Sequence, residues 1–369
     1  MRAEKLLLEC FRNYECQTIE FGPGINVIHG DNAQGKTNIL EAVHMFSLGR
    51  SNRTAKDGEL IKHGSSRAKI SLDFNAYDRD SRFEIELSRS ARKSITYNDI
   101  PVRKHSELLG RFNVVYFGPE LMGLVKEGPR GRRRNLDTLI SQLRPNYFSA
   151  LANLKKVVDS KNALLKMQEP NRTLLEIMNE KLVSYSAEII KYRIEFIRRI
   201  EKLAAEIQKE ISSGSEELSL KYMSCIGRLN TDDEPEDITE RLREKIKAAE
   251  AREIEHRETI ISPHREDIVY EINGRDARAF ASQGQQKTIV LVQKLAEVRL
   301  IKDEINETPV LLLDDIMSEL DRSRRRFVLR SIDDMQIIIT CTDLEEFSES
   351  FGKDGISKIY VKNGIAEKG

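Results

Sequence analysis

The chain of 369 residues has no tryptophan, four cysteines and no net charge. Cys10, Cys16, Cys225 and Cys341 are scattered without a C-x-x-C pair, which argues against a disulfide scaffold, a zinc knuckle and a zinc hook. No apolar run reaches the ~18 residues of a membrane-spanning helix, and Met1-Arg2-Ala3-Glu4-Lys5 does not open a signal-peptide core. A cytoplasmic protein without a membrane partner is expected. Sixty basic and sixty acidic residues cancel, so global charge does not attract nucleic acid and any such binding must use local patches. The candidates are Arg130, Arg132, Arg133 and Arg134, and a second run from Arg322 to Arg326. No internal repeat is evident. An apolar content of 39% at this length suffices for a large core and more than one domain.

Three short segments are far richer in information. Gly30-Asp31-Asn32-Ala33-Gln34-Gly35-Lys36-Thr37 matches G-x-x-x-x-G-K-[ST]. It lies between an apolar alternation, Ile25–His29, that reads as a strand, and a helical pattern from Asn38 to Phe46. In that context backbone N–H groups and a helix N-terminus converge on an anion. Lys36 is then expected to neutralise the β- and γ-phosphates of ATP, and the Thr37 hydroxyl to ligate Mg²⁺. Thr308-Pro309-Val310-Leu311-Leu312-Leu313-Asp314-Asp315 is an apolar run ending in two carboxylates. It suits a strand buried on both faces of a parallel sheet, with its C-terminal end at the ligand crevice. Asp314 is assigned to Mg²⁺, and Asp315 to orienting or deprotonating the attacking water. The third segment, Ser282-Gln283-Gly284-Gln285-Gln286, opens a helix with Ser282 as N-cap and its free N–H groups as a second anion site. One ATP cannot easily be reached by both helix N-termini of a single subunit.

Between these motifs the texture changes. Lys69–Phe74 and Phe83–Leu87 read as alternating strands, with a hairpin turn at Tyr97-Asn98-Asp99-Ile100, and predict an antiparallel sheet beside the nucleotide site. From Arg130 the pattern is helical. Leu175, Met178, Leu182, Tyr185, Ile189, Tyr192 and Phe196 follow a three–four spacing, a coiled-coil seam short enough to suggest a compact arm. Ser212–Ser215 breaks it, Asp232-Asp233-Glu234-Pro235 marks another loop, and a charged helix follows from Ile238 toward Ile260. Ile268–Ile272 with Asn273-Gly274 reads as a strand entering a tight hairpin. The expected division is 1–115 and 261–369 as two halves of an ATPase head, bracketing an inserted helical domain at 116–260.

The segment at Ser282 resembles the signature motif of ABC-type ATPases, including the SMC and Rad50 group. Ser318-Glu319-Leu320-Asp321 resembles their D-loop. The resemblance implies an α/β, ABC-type (Rad50/SMC-like) ATPase head with an antiparallel β subdomain and an inserted α-helical arm domain. Tyr116-Phe117-Gly118-Pro119-Glu120-Leu121, Arg132-Arg133-Arg134-Asn135-Leu136-Asp137, Ser262-Pro263-His264-Arg265-Glu266-Asp267 and Gly49-Arg50-Ser51-Asn52-Arg53-Thr54 narrow it. Together they are similar, over essentially the full length, to the RecF family of bacterial recombination mediators.

That resemblance implies two heads clamping two ATP molecules, each between Lys36 of one head and Ser282 of the other. It assigns Asn38, Arg53, Gly284 and Gln285 to the nucleotide along with the phosphate loop, and Lys36, Ser282 and Asp315 to catalysis. It also implies a weak, DNA-stimulated ATPase acting as a switch, gripping single-stranded, gapped or junction DNA in repair, replication and the SOS response, with RecR and RecO as partners. The alternatives are an SMC-like nucleotide-gated scaffold and an ABC transporter subunit. Three departures stand out. Asp315 replaces the usual Glu, predicting slow hydrolysis. Thr342, in Cys341-Thr342-Asp343, stands nearest the usual His. Ala33 replaces a common Gly, which is tolerable for a negative φ.

Overall fold

The computed structural model describes residues 1–227, 229, 235–331, 335–342 and 356–368. The expected loop at Asp232–Glu234, and Asp343, lie outside the described residues. The chain opens with β1 (Arg2–Glu9), β2 (Cys16–Glu20) and β3 (Ile25–His29), followed by α1 (Lys36–Leu48). Strands β4 (Arg67–Ala76), β5 (Arg79–Ser88), β6 (Ser94–Tyr97), β7 (Ile100–Pro101) and β8 (Val114–Phe117) come next. A helical stretch then holds α2 (Pro129–Leu143), α3 (Pro145–Leu165), the 40-residue α4 (Arg172–Ile211), β9 (Leu218–Met223) and α5 (Pro235–His256). It is followed by β10 (Asp267–Ile272), β11 (Arg275–Asp276), α6 (Ala277–Phe280) and α7 (Gln283–Ile305). The chain ends with β12 (Val310–Asp314), α8 (Arg322–Ser331), β13 (Ile337–Cys341), β14 (Ile356–Lys362) and β15 (Ile365–Lys368).

Two compact units result: Met1–Gly123 with Val290–Gly369, and Leu124–Ile289. Among the described residues the first holds two sheets. One is antiparallel, in the order β2-β1-β4-β5-β6-β7; the other runs β15-β14-β3-β13-β12-β8 and is parallel except for β15. Strands β8, β12 and β13 are buried at every position, because a parallel sheet is covered on both faces. Helix α1 shares one core with both sheets: Ile39, Leu40, Val43 and Phe46 cluster with Leu6, Ile70 and Phe83 of the antiparallel sheet and with Leu312 and Ile338 of the parallel one. Eleven residues of α1 are buried, Lys36, Glu41 and His44 among them. Beyond its first turn, where Thr37 and Asn38 are partly exposed, the helix has no solvent face, and its polar residues must find partners inside. The Asn98-Asp99 hairpin forms as expected, with φ of 47° and 64° at its two central residues.

The second unit is built on α4, which packs against α3, α5 and β9. Leu175, Leu182, Ile189 and Phe196 of the expected seam are buried, whereas Met178, Tyr185 and Tyr192 are only half-buried. The buried stripe instead widens to Val183, Ser186, Ile190, Arg193 and Ile197, because the helix packs inside a globular unit rather than along one partner helix. Arg193, 2% exposed, donates to Tyr147 Oη (3.1 Å), Pro263 O (2.8 Å), Glu266 Oε2 (2.7 Å) and Asp137 Oδ1 (2.8 Å). Glu266 also accepts from Ser224 Oγ, the Cys225 N–H and the Tyr222 hydroxyl. Lys161 and Glu253, each 1% exposed, form a second buried pair at 2.6 Å.

The unit boundaries differ from those expected. Strand β8 pairs with β12, which places residues 114–117 wholly in the first unit. Strand β10 pairs with β9 and β11, which places 261–289, and Ser282 with it, in the helical unit. The turn after α4 leads straight into β9, and a lone strand needs a partner. That long-range pairing leaves no local signal. The four cysteines are free, and among the described residues no helix is long and apolar enough to cross a membrane.

Candidate nucleotide-binding site

The phosphate-type loop joins β3 to α1. Gly30 has φ +146°, and a Cβ there would lie 2.2 Å from the Val361 carbonyl, so no other residue fits. Gly35, at φ +119°, is the N-cap of α1. The loop is braced from outside: Asn13 Nδ2 donates to Gln34 O (2.8 Å), Tyr14 Oη to Gly35 O (3.1 Å), and the Asn363 N–H to Gln34 Oε1 (2.7 Å). Asp31, Asn32 and Ala33 stand exposed at its tip. Ala33 has φ +64°, so the negative φ under which a methyl is tolerable there is not met. Its Cβ therefore crowds the backbone, at a cost of about 1 kcal/mol. Ala33→Gly is expected to raise stability by up to about 1 kcal/mol, read as a small upward shift in Tm; a lower Tm would show that the loop relaxes to a negative φ in solution.

Lys36 Nζ reaches back to Gly30 O (2.5 Å) and Asp31 O (2.8 Å). Burial lowers its pKa, opposed by the negative charge of Asp315, Asp31 and Asp314. At the end of β12, Asp314 Oδ1 accepts from Thr37 Oγ1 (2.9 Å) and Thr340 Oγ1 (2.8 Å), while Oδ2 accepts from Tyr116 Oη (3.1 Å). Thr340 Oγ1 in turn accepts from the Asp315 N–H (2.9 Å). Asp315 is half-buried with φ +52°. Burial raises its carboxyl pKa and Lys36 opposes the shift. Thr37 and Asp314 thus present two hard oxygens at one point beside an anion-binding loop. Such a pair fits Mg²⁺, which takes its remaining ligands from phosphate and water.

Three contributors escaped the sequence reading. Tyr116 fixes the Asp314 carboxylate, and Gly118 makes room for it: a Cβ at Gly118 would lie 2.3 Å from Tyr116 Oη. Arg12 makes a double hydrogen bond to the buried Glu41 (2.9 and 2.7 Å). Asn13 accepts from Asn38 Nδ2 (2.9 Å). Arg12, Asn13 and Asn38 line a groove of about 710 Å³ with Lys56, His63 and Arg89. Arg53 donates to Asn38 Oδ1 (2.9 Å) and Glu41 Oε2 (3.1 Å), its side chain 41% exposed. Arg12 and Asn13 sit in the β1–β2 turn, which no local motif marks.

Ser282 lies in the second unit, exposed at the start of α7. It forms a reciprocal cap with Gln285: the Gln285 N–H donates to Ser282 Oγ (3.2 Å) and the Ser282 N–H to Gln285 Oε1 (2.8 Å). This is the capping box that S-x-x-Q encodes. Gly284 lies between them in the first turn of α7. Thr342 is exposed just beyond β13.

The basic cluster on α2 divides. Arg132 is 3% exposed, bonded bidentately to Asp267 (2.7 and 2.9 Å) and to the carbonyls of Leu124 and Glu127. Every part of its guanidinium fork is turned inward, so it is corrected from a DNA contact to a structural residue. Arg133 is half-buried and donates to the Glu266 carbonyl. Only Arg130 and Arg134 of this cluster are exposed.

The two sheets around α1, the braced loop and the Asp314 strand define the head of an ABC-type ATPase. The family model of the RecF/RecN/SMC N terminal domain matches residues 2–367. The chain belongs to the RecF family within that class. It is 41% identical over 365 residues to the DNA replication and repair protein RecF of Clostridium perfringens (strain SM101 / Type A), with 99% of each chain covered. With the RecF of Clostridium tetani (strain Massachusetts / E88) it shares 42% over 369 residues, again covering 99% of each. Among solved structures it is similar to the recombination mediator protein RecF in complex with ATP in the RecFOR pathway, with a TM-score of 0.89, 35% identity and coverage of 100% of this chain and 99% of that one. An Smc head bound to the C-winged helix domain of ScpA shares the fold at a TM-score of 0.57 and 18% identity, covering 100% of this chain and 97% of that one.

Proposed function

We propose that this protein is an ATP-dependent DNA-binding protein of recombinational repair and replication restart. ATP–Mg²⁺ joins two copies head to tail. The observation that carries this reading is the convergence of Thr37, Thr340 and Tyr116 on Asp314 beside Lys36. Two hard oxygens beside the loop in one unit, with the capped N-terminus at Ser282 in the other unit, support it.

In this reading the loop N–H groups and Lys36 hold the phosphates. Thr37 and Asp314 hold Mg²⁺, which neutralises phosphate charge when bound. The groove beside Arg12, Asn13 and Asn38 takes the ribose and base, and Arg53 stands at the phosphate end. Ser282, Gly284 and Gln285 of the partner subunit close the site, so the nucleotide supplies contacts the empty interface lacks. Asp315 orients the attacking water. Its carboxyl carries its pKa above the ordinary value, but a chain one methylene shorter than Glu makes the reaction slow. Hydrolysis then releases the dimer, and ATP acts as a conformational switch. Exposed Arg130 and Arg134 are the DNA contacts proposed on α2. By likeness to its relatives, the protein works with RecR and RecO at single-stranded gaps to help load recombinase in the cytoplasm.

Sedimentation velocity on wild type and Ser282→Arg, with and without ATP–Mg²⁺ and a gapped duplex, tests this. A dimer that needs both ATP and Ser282, and is strengthened by the DNA, is the expected result. A wild-type protein that stays monomeric with ATP bound would overturn the switch.

A further inference from the structure

Glu216 sits in the turn between α4 and β9, half-buried, and accepts two side-chain amides from distant elements. Gln208 Nε2 of α4, itself fully buried, donates to Glu216 Oε2 at 2.6 Å, and Gln285 Nε2 of α7 donates to Glu216 Oε1 at 2.8 Å. The same turn is held to the β10–β11 hairpin, the Glu217 N–H donating to Asn273 Oδ1 at 2.8 Å. All these residues belong to one unit.

A carboxylate has no hydrogen to donate, so whatever bonds to it must present N–H. Glu216 therefore fixes which way the Gln285 amide faces. With its NH₂ committed to Glu216, Gln285 can only turn its oxygen back toward the Ser282 N–H, and that contact is observed at 2.8 Å. We propose that Glu216 is a positioning residue for Ser282, setting the Gln285 amide that caps the signature helix and tying that cap, through Gln208, to the end of the 40-residue arm helix. The arm and the contact made on the partner's nucleotide are thereby linked. The inference rests on the head-to-tail reading above for its functional consequence, but not for the cap itself.

Reversing the hydrogen-bonding sense at 216 tests the idea. In Glu216→Lys the side chain offers only N–H, so it attracts the Gln285 oxygen and pulls it off the Ser282 N–H. Glu216→Gln keeps an acceptor for Gln285. Amide exchange by mass spectrometry on the full chain, over 282–286, reads the cap directly. Glu216→Lys is expected to speed exchange there about tenfold, with Glu216→Gln within about threefold of wild type. Sedimentation velocity with ATP–Mg²⁺ should show dimers about tenfold weaker in Glu216→Lys, while affinity of the monomer for a fluorescent ATP analogue stays within about twofold. Gln285→Leu should give the same exchange increase, and adding Glu216→Lys to it should change nothing further. Unchanged exchange in Glu216→Lys, additive effects in the double variant, or Glu216→Gln as impaired as Glu216→Lys would each overturn the proposal. If wild type fails to dimerise with ATP, the head-to-tail reading falls, and the exchange data still decide whether Glu216 sets the cap.

Discussion

Lys36→Met is expected to weaken ATP binding by at least about a hundredfold and to abolish ATP-dependent dimerisation. The ammonium lies against the loop carbonyls of Gly30 and Asp31, within the fields of Asp315, Asp31 and Asp314. Incoming phosphates offer it stronger, charged acceptors. Two charge-assisted hydrogen bonds at about 1.5–3 kcal/mol each account for the predicted factor. The fold should survive, because burial already disfavours the charge and methionine has nearly the same length. Titration of a fluorescent nucleotide, paired with thermal unfolding, separates the two effects. Affinity within threefold of wild type would remove Lys36 from the site, whereas a collapse in Tm would make it a structural residue.

Arg193→Met is expected to destabilise the helical unit by about 3–5 kcal/mol, the usual result of leaving a buried carboxylate without its cation. Among the described residues Glu266, 1% exposed, would keep only Ser224, Cys225 and Tyr222 as donors to its side-chain carboxylate. Tyr147 and Asp137 would lose the group that bridges α2, α3 and α4. In a chain of two units the loss should appear as a separate, earlier unfolding transition, lower by roughly 10 °C. Adding Glu266→Leu should restore part of it, since removing both charges costs less than orphaning one. A single unshifted transition in Arg193→Met would mean that the network contributes no net stability.

The site was legible in the sequence wherever chemistry and backbone geometry are written locally. Gly30, Gly35, Lys36 and Thr37 sit within eight positions, and the run into Asp314 announces both a buried strand and its polar end. Ala33 shows the limit of such reading. A methyl there is tolerable only at negative φ, and residue type does not fix φ: the loop, braced from outside by Asn13, Tyr14 and Asn363, holds Ala33 at +64°. The arginine cluster shows another. Arg130, Arg132, Arg133 and Arg134 look equivalent as a string. One helical turn separates an exposed pair from a guanidinium buried on Asp267, a residue 135 positions away.

By itself the sequence determined the class of protein, the loop, the metal-ligand candidates and the helical insertion. Each depends on residue identity at short spacing, or on hydrophobic period. Tertiary structure alone decided which carboxylate oxygen meets which hydroxyl at Asp314, that Tyr116 and Arg12 join the site, and that Ser282 goes with the helical unit. Those outcomes depend on strand pairings such as β9 with β10 and β8 with β12, between segments far apart in the chain. Such pairings are selected by the packing of the whole unit, and no short window of sequence encodes them.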